Sequence, residues 1–378
     1  MPPESTFPGI FLEERPTGSH PIDGVPTSVA AFIGPTRYGP VARPVEVRSV
    51  VEFEKRFGKL SATLETGYAV RQFFLNGGQK AWVVRVAKNP DLPRLRAGLR
   101  SLDAVDLFNL LLLPGLTTPA GAARAADYCQ KRRAFLILDA PAAARTPEEM
   151  EQAARKLKFD SRSHAAIYYP WLRLGDPLKK SRPRLSPPSG TIAGLIARTD
   201  SNRGVWKAPA GAEANLKNVA SLERKLTDAE NGRLNANGIN CLRSFPVYGL
   251  VAWGARTLAG DDQSGSEFKY IPVRRTALFI EESVSRGIQW AVFEPNGPPL
   301  WAEIRLRVGT FLHNLFRAGA FQGRKPQEAY FVRCDSTTTA PQDLAAGVVN
   351  VVIGFAPLKP AEFVLISLRQ LTAGTVEP

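Results

Sequence analysis

Residues 108–139 read FNLLLLPGLTTPAGAARAADYCQKRRAFLILD, and this stretch sets the fold class. Phe108–Leu113 is an apolar run stopped by Pro114-Gly115, which reads as a short buried strand ending in a turn. Ala120–Lys131 is Ala-rich and helical in pattern, and Ala134–Leu138 is a second apolar run that ends at Asp139. Further on, Thr146-Pro147-Glu148-Glu149 has the form of a helix start, with Thr146 as cap and Pro147 in the first turn, and Ala165–Tyr169 is another strand. Strands alternating with helices in this way predict a parallel α/β layer.

The flanks extend the pattern. Val25–Ile33 reads as a strand, Val50–Phe57 as a helix between Ser49 and Gly58, Leu64–Leu75 as an amphipathic helix and Lys80–Val86 as a buried strand. Asn76-Gly77-Gly78 follows a helix and precedes a strand, the reverse of the order a phosphate cradle needs, so it is a turn. Leu178–Gly190 is Pro/Ser-rich and basic, hence a surface loop; Thr191–Arg198 is helical, and a short helix is expected around Leu222–Ala229. Asn237–Arg243 reads as a turn into a strand, Tyr270–Val273 as a strand, Arg274–Arg286 as a helix capped by Gly287, and Gln289–Phe293 as a strand. Leu300–Phe316 is the clearest amphipathic helix: Trp301, Ile304, Val308, Phe311, Leu312 and Leu315 share one face, and Glu303, Arg307, Thr310, Asn314 and Arg317 the other. Ala329–Cys334, Val348–Phe355 and Phe363–Leu371 are the last strands.

A chain of 378 residues, 44% hydrophobic and 22% charged, is a packed protein of two or more domains rather than a disordered one. Its 49 basic against 35 acidic residues give +14 and favour acidic partners: nucleic acid, anionic lipid or an acidic protein. The densest basic group, Lys179-Lys180-Ser181-Arg182-Pro183-Arg184, sits in the predicted loop and reads as solvated. Cys129, Cys241 and Cys334 are far apart, which points to reduced, buried thiols. Met1–Thr6 lacks the order of a signal peptide, and Leu107–Leu113 is too short to span a bilayer, so a soluble chain made in the cytoplasm is expected.

The residues offer little chemistry. His20, His164 and His313 are isolated, and the acidic pairs Glu13-Glu14, Asp261-Asp262 and Glu281-Glu282 are adjacent, so their side chains point apart. Asp139 stands where a catalytic acid could, but no base, nucleophile or Gly-rich turn accompanies it, and a loop or cap carboxylate is the better reading. No enzyme, cofactor, metal site or small-molecule substrate is expected.

The ends carry more information. Gly9, Ile10, Phe11, Leu12, Glu13 and Glu14, bounded by Pro8 and Pro16, form a strand with no hairpin turn after it. A Pro/Gly linker follows, Thr17–Asp23, with Thr17, Gly18, Pro21 and then Gly24 as its pivots. At the other end Ala356–Pro360, with Pro357 and Pro360, separates the body from Phe363, Val364, Leu365, Ile366, Ser367 and Leu368. A lone strand leaves its backbone groups unpaired and must join a sheet elsewhere in its own chain or in another.

Several collinear stretches resemble the contractile tail sheath proteins of phages and phage-tail-like injection systems. They are Pro8–Glu14, Pro21–Val25, Thr27–Gly34, Gly67–Val86, Pro188–Ala210 with its RGVWKAPA element, Ile239–Ser283 with WGARTL at 253–258, and Ser285–Arg333. The resemblance is weakest over Asn89–Ser186, and this chain is short for the family. It implies a structural subunit, with residues 1–23 an N-terminal arm and linker, 24–236 an outer α/β region (24–88 and 105–210), 237–356 a C-terminal α/β domain nearest an inner tube, and 357–378 a C-terminal linker and arm. It implies hexameric rings woven into a helical sleeve by exchanged arms, contraction without nucleotide hydrolysis, and as partners further copies of itself, an inner tube protein, and baseplate and terminal cap proteins. On this reading Arg305, Arg307 and Arg317 face the tube, and neither nucleic acid nor membrane insertion is involved. Two other classes stay open on the residues alone: an α/β enzyme built on the Phe108–Tyr169 layer, and a basic nucleic-acid-binding protein.

Overall fold

The computed structural model describes residues 21–88, 91–116 and 118–362. The arm strands at 9–14 and 363–368, and with them Thr17, Gly18 and His20, lie outside the described residues.

The first half alternates strands and helices. β1 (Ala30–Gly34), β2 (Pro44–Val47), α1 (Val50–Phe57), α2 (Glu65–Asn76), β3 (Ala81–Arg85), α3 (Leu92–Ser101), β4 (Leu110–Leu112), α4 (Pro119–Lys131), β5 (Phe135–Asp139), α5 (Pro147–Arg155) and β6 (Ala165–Tyr169) follow in order. Local chemistry starts the helices: Ser49, Asp91 and Thr118 each accept a backbone N–H of their first turn, and Thr146 with Glu149 forms a capping box. Then come β7 (Leu172–Asp176), β8 (Arg182–Ser186), α6 (Ser189–Arg203), β9 (Ser221–Leu222), α7 (Asp228–Ala236), β10 (Ile239–Phe245), β11 (Gly249–Ala252), α8 (Ile271–Gly287), α9 (Pro298–Arg317), β12 (Tyr330–Arg333) and β13 (Val352–Phe355).

The central sheet has the order β11-β10-β6-β5-β4-β1-β3-β2, parallel except at its two edge strands. Alternation along each strand feeds two cores. On β5, Leu136 and Leu138 point to the layer of α3, α4 and α5, while Phe135 and Ile137 point to α1, α2 and α6. Because helices cover the two faces, the inner strands are apolar throughout, as the LLLL and FLIL runs announced. A third core joins the end of α8 and all of α9 to the β12–β13 ribbon, through Ile280, Val284, Ile304, Val308, Leu312 and Phe321. α8 thus serves two cores, with Ile271 and Leu278 on the sheet and Ile280 and Val284 on α9.

Several expectations are corrected. Leu178–Gly190 is no loop: β8 pairs with β7, and Lys180 and Ser181 take the left-handed turn, φ 47° and 60°, usually signalled by Gly or Asn. Tyr270–Val273 is the cap and first turn of α8, where Pro272 lacks an N–H that the helix would leave unpaired anyway. Gln289–Phe293 holds a single 3-10 turn, Gln289–Ala291. The helix near Leu222–Ala229 starts later, at the Thr227/Glu230 capping box, and Ser221–Leu222 pairs with β7. β10 and β11 continue the central sheet beyond residue 237.

Candidate inter-subunit and tube-facing sites

Where the N-terminal segment meets the body it is pinned rather than free. Ile22 is buried on Gly287, so close that a Cβ there would lie 2.6 Å from Ile22 Cγ1. Gly287 therefore serves contact within α8 and not the predicted cap. Gly24, expected to pivot, packs on the Phe279 ring, and the Val25 N–H donates to Ser283 Oγ at 3.1 Å. Thr27 Oγ1 donates to Asp200 Oδ2 at 2.7 Å, and Arg275 donates to the Thr27 carbonyl at 2.9 Å while gripping Asp200 with two hydrogen bonds of 2.8 and 2.6 Å. Arg275 and Asp200 are buried, so the pair is satisfied by geometry rather than by water. Pro21 is exposed.

The C-terminal segment is held twice. Ala356 donates to the Ala329 carbonyl at 2.8 Å and accepts from the Gln322 N–H at 2.9 Å, while Pro357 bridges Phe321. Leu358–Ala361, with Pro360, then crosses to the central sheet, where Glu362 meets Arg256. Nε donates to Oε1 at 2.7 Å and Nη2 to Oε2 at 2.5 Å. Arg256 is 1% exposed and spends its remaining hydrogen bonds on Asp262 Oδ1 (2.8 Å) and the carbonyls of Asn235 and Gly260. Burial pushes the Glu362 carboxyl up, but hydrogen bonds and charge from Arg256 outweigh it and hold the group below its ordinary value.

On α9 the predicted tube-facing arginines part company. Arg305 is half-buried and donates to the Cys334 carbonyl. Arg307 lies 3.9 Å from the Trp290 ring centre and pairs with Glu303. Arg317 is exposed. Leu306, 69% exposed, takes the outward position that the helical pattern gave to Arg307.

The other residues weighed for chemistry are structural. Asp139 is buried at the end of β5 and accepts from the Ser189 N–H (2.7 Å), Ser189 Oγ (2.9 Å) and the Gly115 N–H (3.2 Å), so it caps the start of α6. Burial pushes its pKa up to about 7 against these bonds. His164 is buried, and desolvation with Arg274 lowers it to about 4, whereas His313 is exposed beside the Tyr330 hydroxyl. Cys129, Cys241 and Cys334 are buried free thiols. Among the described residues no cluster of three or more metal-ligating side chains forms, and no helix is long and apolar enough to cross a membrane.

The family model for the phage tail sheath protein central domain matches residues 88–258, and that for the phage tail sheath C-terminal domain matches 263–370. The chain belongs to the phage tail sheath family. A prophage major tail sheath protein of Pseudomonas aeruginosa is 28% identical over 277 residues, 71% of this chain and 67% of that one. Solved structures agree along the length: the helical sheath of the anti-feeding prophage in its contracted state has a TM-score of 0.79 at 29% identity, covering 97% of this chain and 99% of that one. A chain of the six-fold symmetrised baseplate of the same particle has a TM-score of 0.79 at 28% identity, covering 97% and 100%.

In this sheath chain the motifs acquire physical roles. Within WGARTL, a Cβ on Gly254 would lie 2.9 Å from Asn240 Oδ1, so glycine admits the amide that pins Arg256. Asn240 accepts from the Arg256 N–H and donates to the Arg256 and Ile167 carbonyls. Within RGVWKAPA, Gly204 (φ 87°) ends α6 and Trp206 packs on the third core. Sequence reasoning missed Arg275, Asp200, Arg256 and Glu362. Each reads as an ordinary charge in its local setting, and only distance in the fold shows its partner.

Proposed function

We propose that this sheath chain is a structural, non-enzymatic subunit that stacks as hexameric rings around an inner tube, its terminal strands exchanged between neighbours. The sleeve contracts and drives the tube through a target envelope; baseplate and terminal cap proteins close its ends. It assembles in a bacterial cytoplasm and becomes part of a phage tail or phage-like particle.

The observation that carries the strand exchange is the β12–β13 ribbon. It has two strands only, its outer edges are unpaired among the described residues, and Phe331 and Val352 are 46% and 44% exposed. A two-stranded ribbon is marginal alone and presents a template for further strands. Residues 15–20, which separate the predicted N-terminal strand from Pro21, can span roughly 20 Å when extended. Since Gly24 is packed, the N-terminal pivot is assigned to Thr17–Pro21.

Deleting residues 1–16 is expected to give a folded monomer that forms no sleeves in electron micrographs. Normal sleeves from that deletion would contradict the exchange. For the tube, Arg317→Glu is the informative charge reversal, since Arg305 and Arg307 have internal partners; co-assembly with the tube protein should fall, and unchanged co-assembly would count against this face of α9.

A further inference from the structure

We propose that the Arg256–Glu362 pair is the root of the C-terminal arm: it fixes where the strand beginning at Phe363 starts, and so sets the register in which that strand meets its acceptor. This rests on the strand exchange proposed above.

The argument is geometric. Upstream of the pair, Leu358–Ala361 crosses outside any helix or strand, with Lys359 and Ala361 exposed. Downstream, the strand read from the sequence begins at the next residue, Phe363. The two-pronged contact holds Glu362 in both position and orientation. Asn235 Nδ2 at 3.5 Å and the Tyr270 hydroxyl at 3.2 Å add to the grip. Behind the guanidinium, Asn240 ties the Arg256 backbone to β10, and its amide reaches the Ile167 carbonyl of β6, so Glu362 is fixed to the central sheet rather than to a loop. A strand displaced by one residue turns every side chain to the opposite face, so a fixed origin matters for a strand that must dock on another molecule.

Two measurements test this. In the full-length monomer, Glu362→Gln should speed exchange of the Arg256 Nε–H, which donates to Glu362 Oε1, at least tenfold by NMR while leaving the amides of β10 and α8 unchanged; equal exchange overturns the clamp. For register, insertion of a single Gly between Ala361 and Glu362 should leave sleeve yield within about twofold of wild type. The same insertion between Glu362 and Phe363 should lower it at least tenfold. Equal yields from the two insertions overturn the register role. Absence of sleeves from the wild type itself would instead count against the sheath reading, and the exchange measurement still decides the clamp.

Discussion

Asp139 shows how much a single residue's meaning depends on where the chain carries it. The carboxylate sits at an α/β position that in other proteins carries catalysis, yet here its oxygens receive backbone and hydroxyl protons that join β5 to α6. Its folded pKa lies above the unfolded value, so its contribution is full below about pH 4 and is lost as pH rises through about 7. Replacing it with Asn removes the buried charge, so Asp139→Asn should gain on wild type between pH 5 and pH 8 by an amount on the order of a few kcal/mol in urea unfolding. A flat difference across that range would refute the assignment. The Arg275–Asp200 pair behaves differently, because each partner neutralises the other. Arg275→Ala strands a buried carboxylate and should cost about 3–5 kcal/mol, with loss of amide protection over residues 25–29 as the accompanying sign. Neither partner could be named from sequence: the arginine falls in a basic helix start and the aspartate in a polar helix end.

At the scale of elements, the contact between α2 and α6 has a specific cause. Gly190 and Gly194 stand one helical turn apart, and a Cβ at them would meet the Ala69 and Phe73 carbonyls at 2.3 and 2.4 Å. The helices approach backbone to backbone at these glycines, and α6 extends from Ser189 to Arg203, beyond the shorter Thr191–Arg198 stretch that its apolar residues mark. Gly194→Ala must push the pair apart, and a destabilisation of about 1–3 kcal/mol in urea unfolding is expected; no loss would mean that the helices can separate without strain. Capping residues made α1 and α5 legible and apolar spacing or Ala content made α2 and α4 so, whereas α3 was not read from the sequence. The β7–β8 hairpin was hidden because its turn uses Lys and Ser at positive φ, and α8 was shortened because Pro272 reads as a break unless the helix is known to start just before it.

For the whole molecule, the third core is a separable prediction. Leu312 is fully buried between α9 and its neighbours, and Leu312→Ala should cost about 2–5 kcal/mol and loosen the β12–β13 ribbon before the central sheet, as hydrogen exchange resolved by segment would reveal. Sleeve formation should fail in that variant at temperatures where the central sheet is still intact; sleeves that survive a molten ribbon would remove the ribbon from the assembly. The sequence alone determined the α/β class, the amphipathic face of α9, the buried thiols and the family, because period, caps and collinear motifs are local and survive translation into one dimension. Tertiary structure alone decided that the sheet continues through β10 and β11, that the N-terminal linker is pinned from Ile22 onward, that Arg305 and Arg307 turn inward, and that Glu362 finds Arg256. Those facts are pairings between residues far apart in the chain. A charge or a glycine carries no local mark of its partner, since the interaction energy depends on separation in space, which only the folded chain sets.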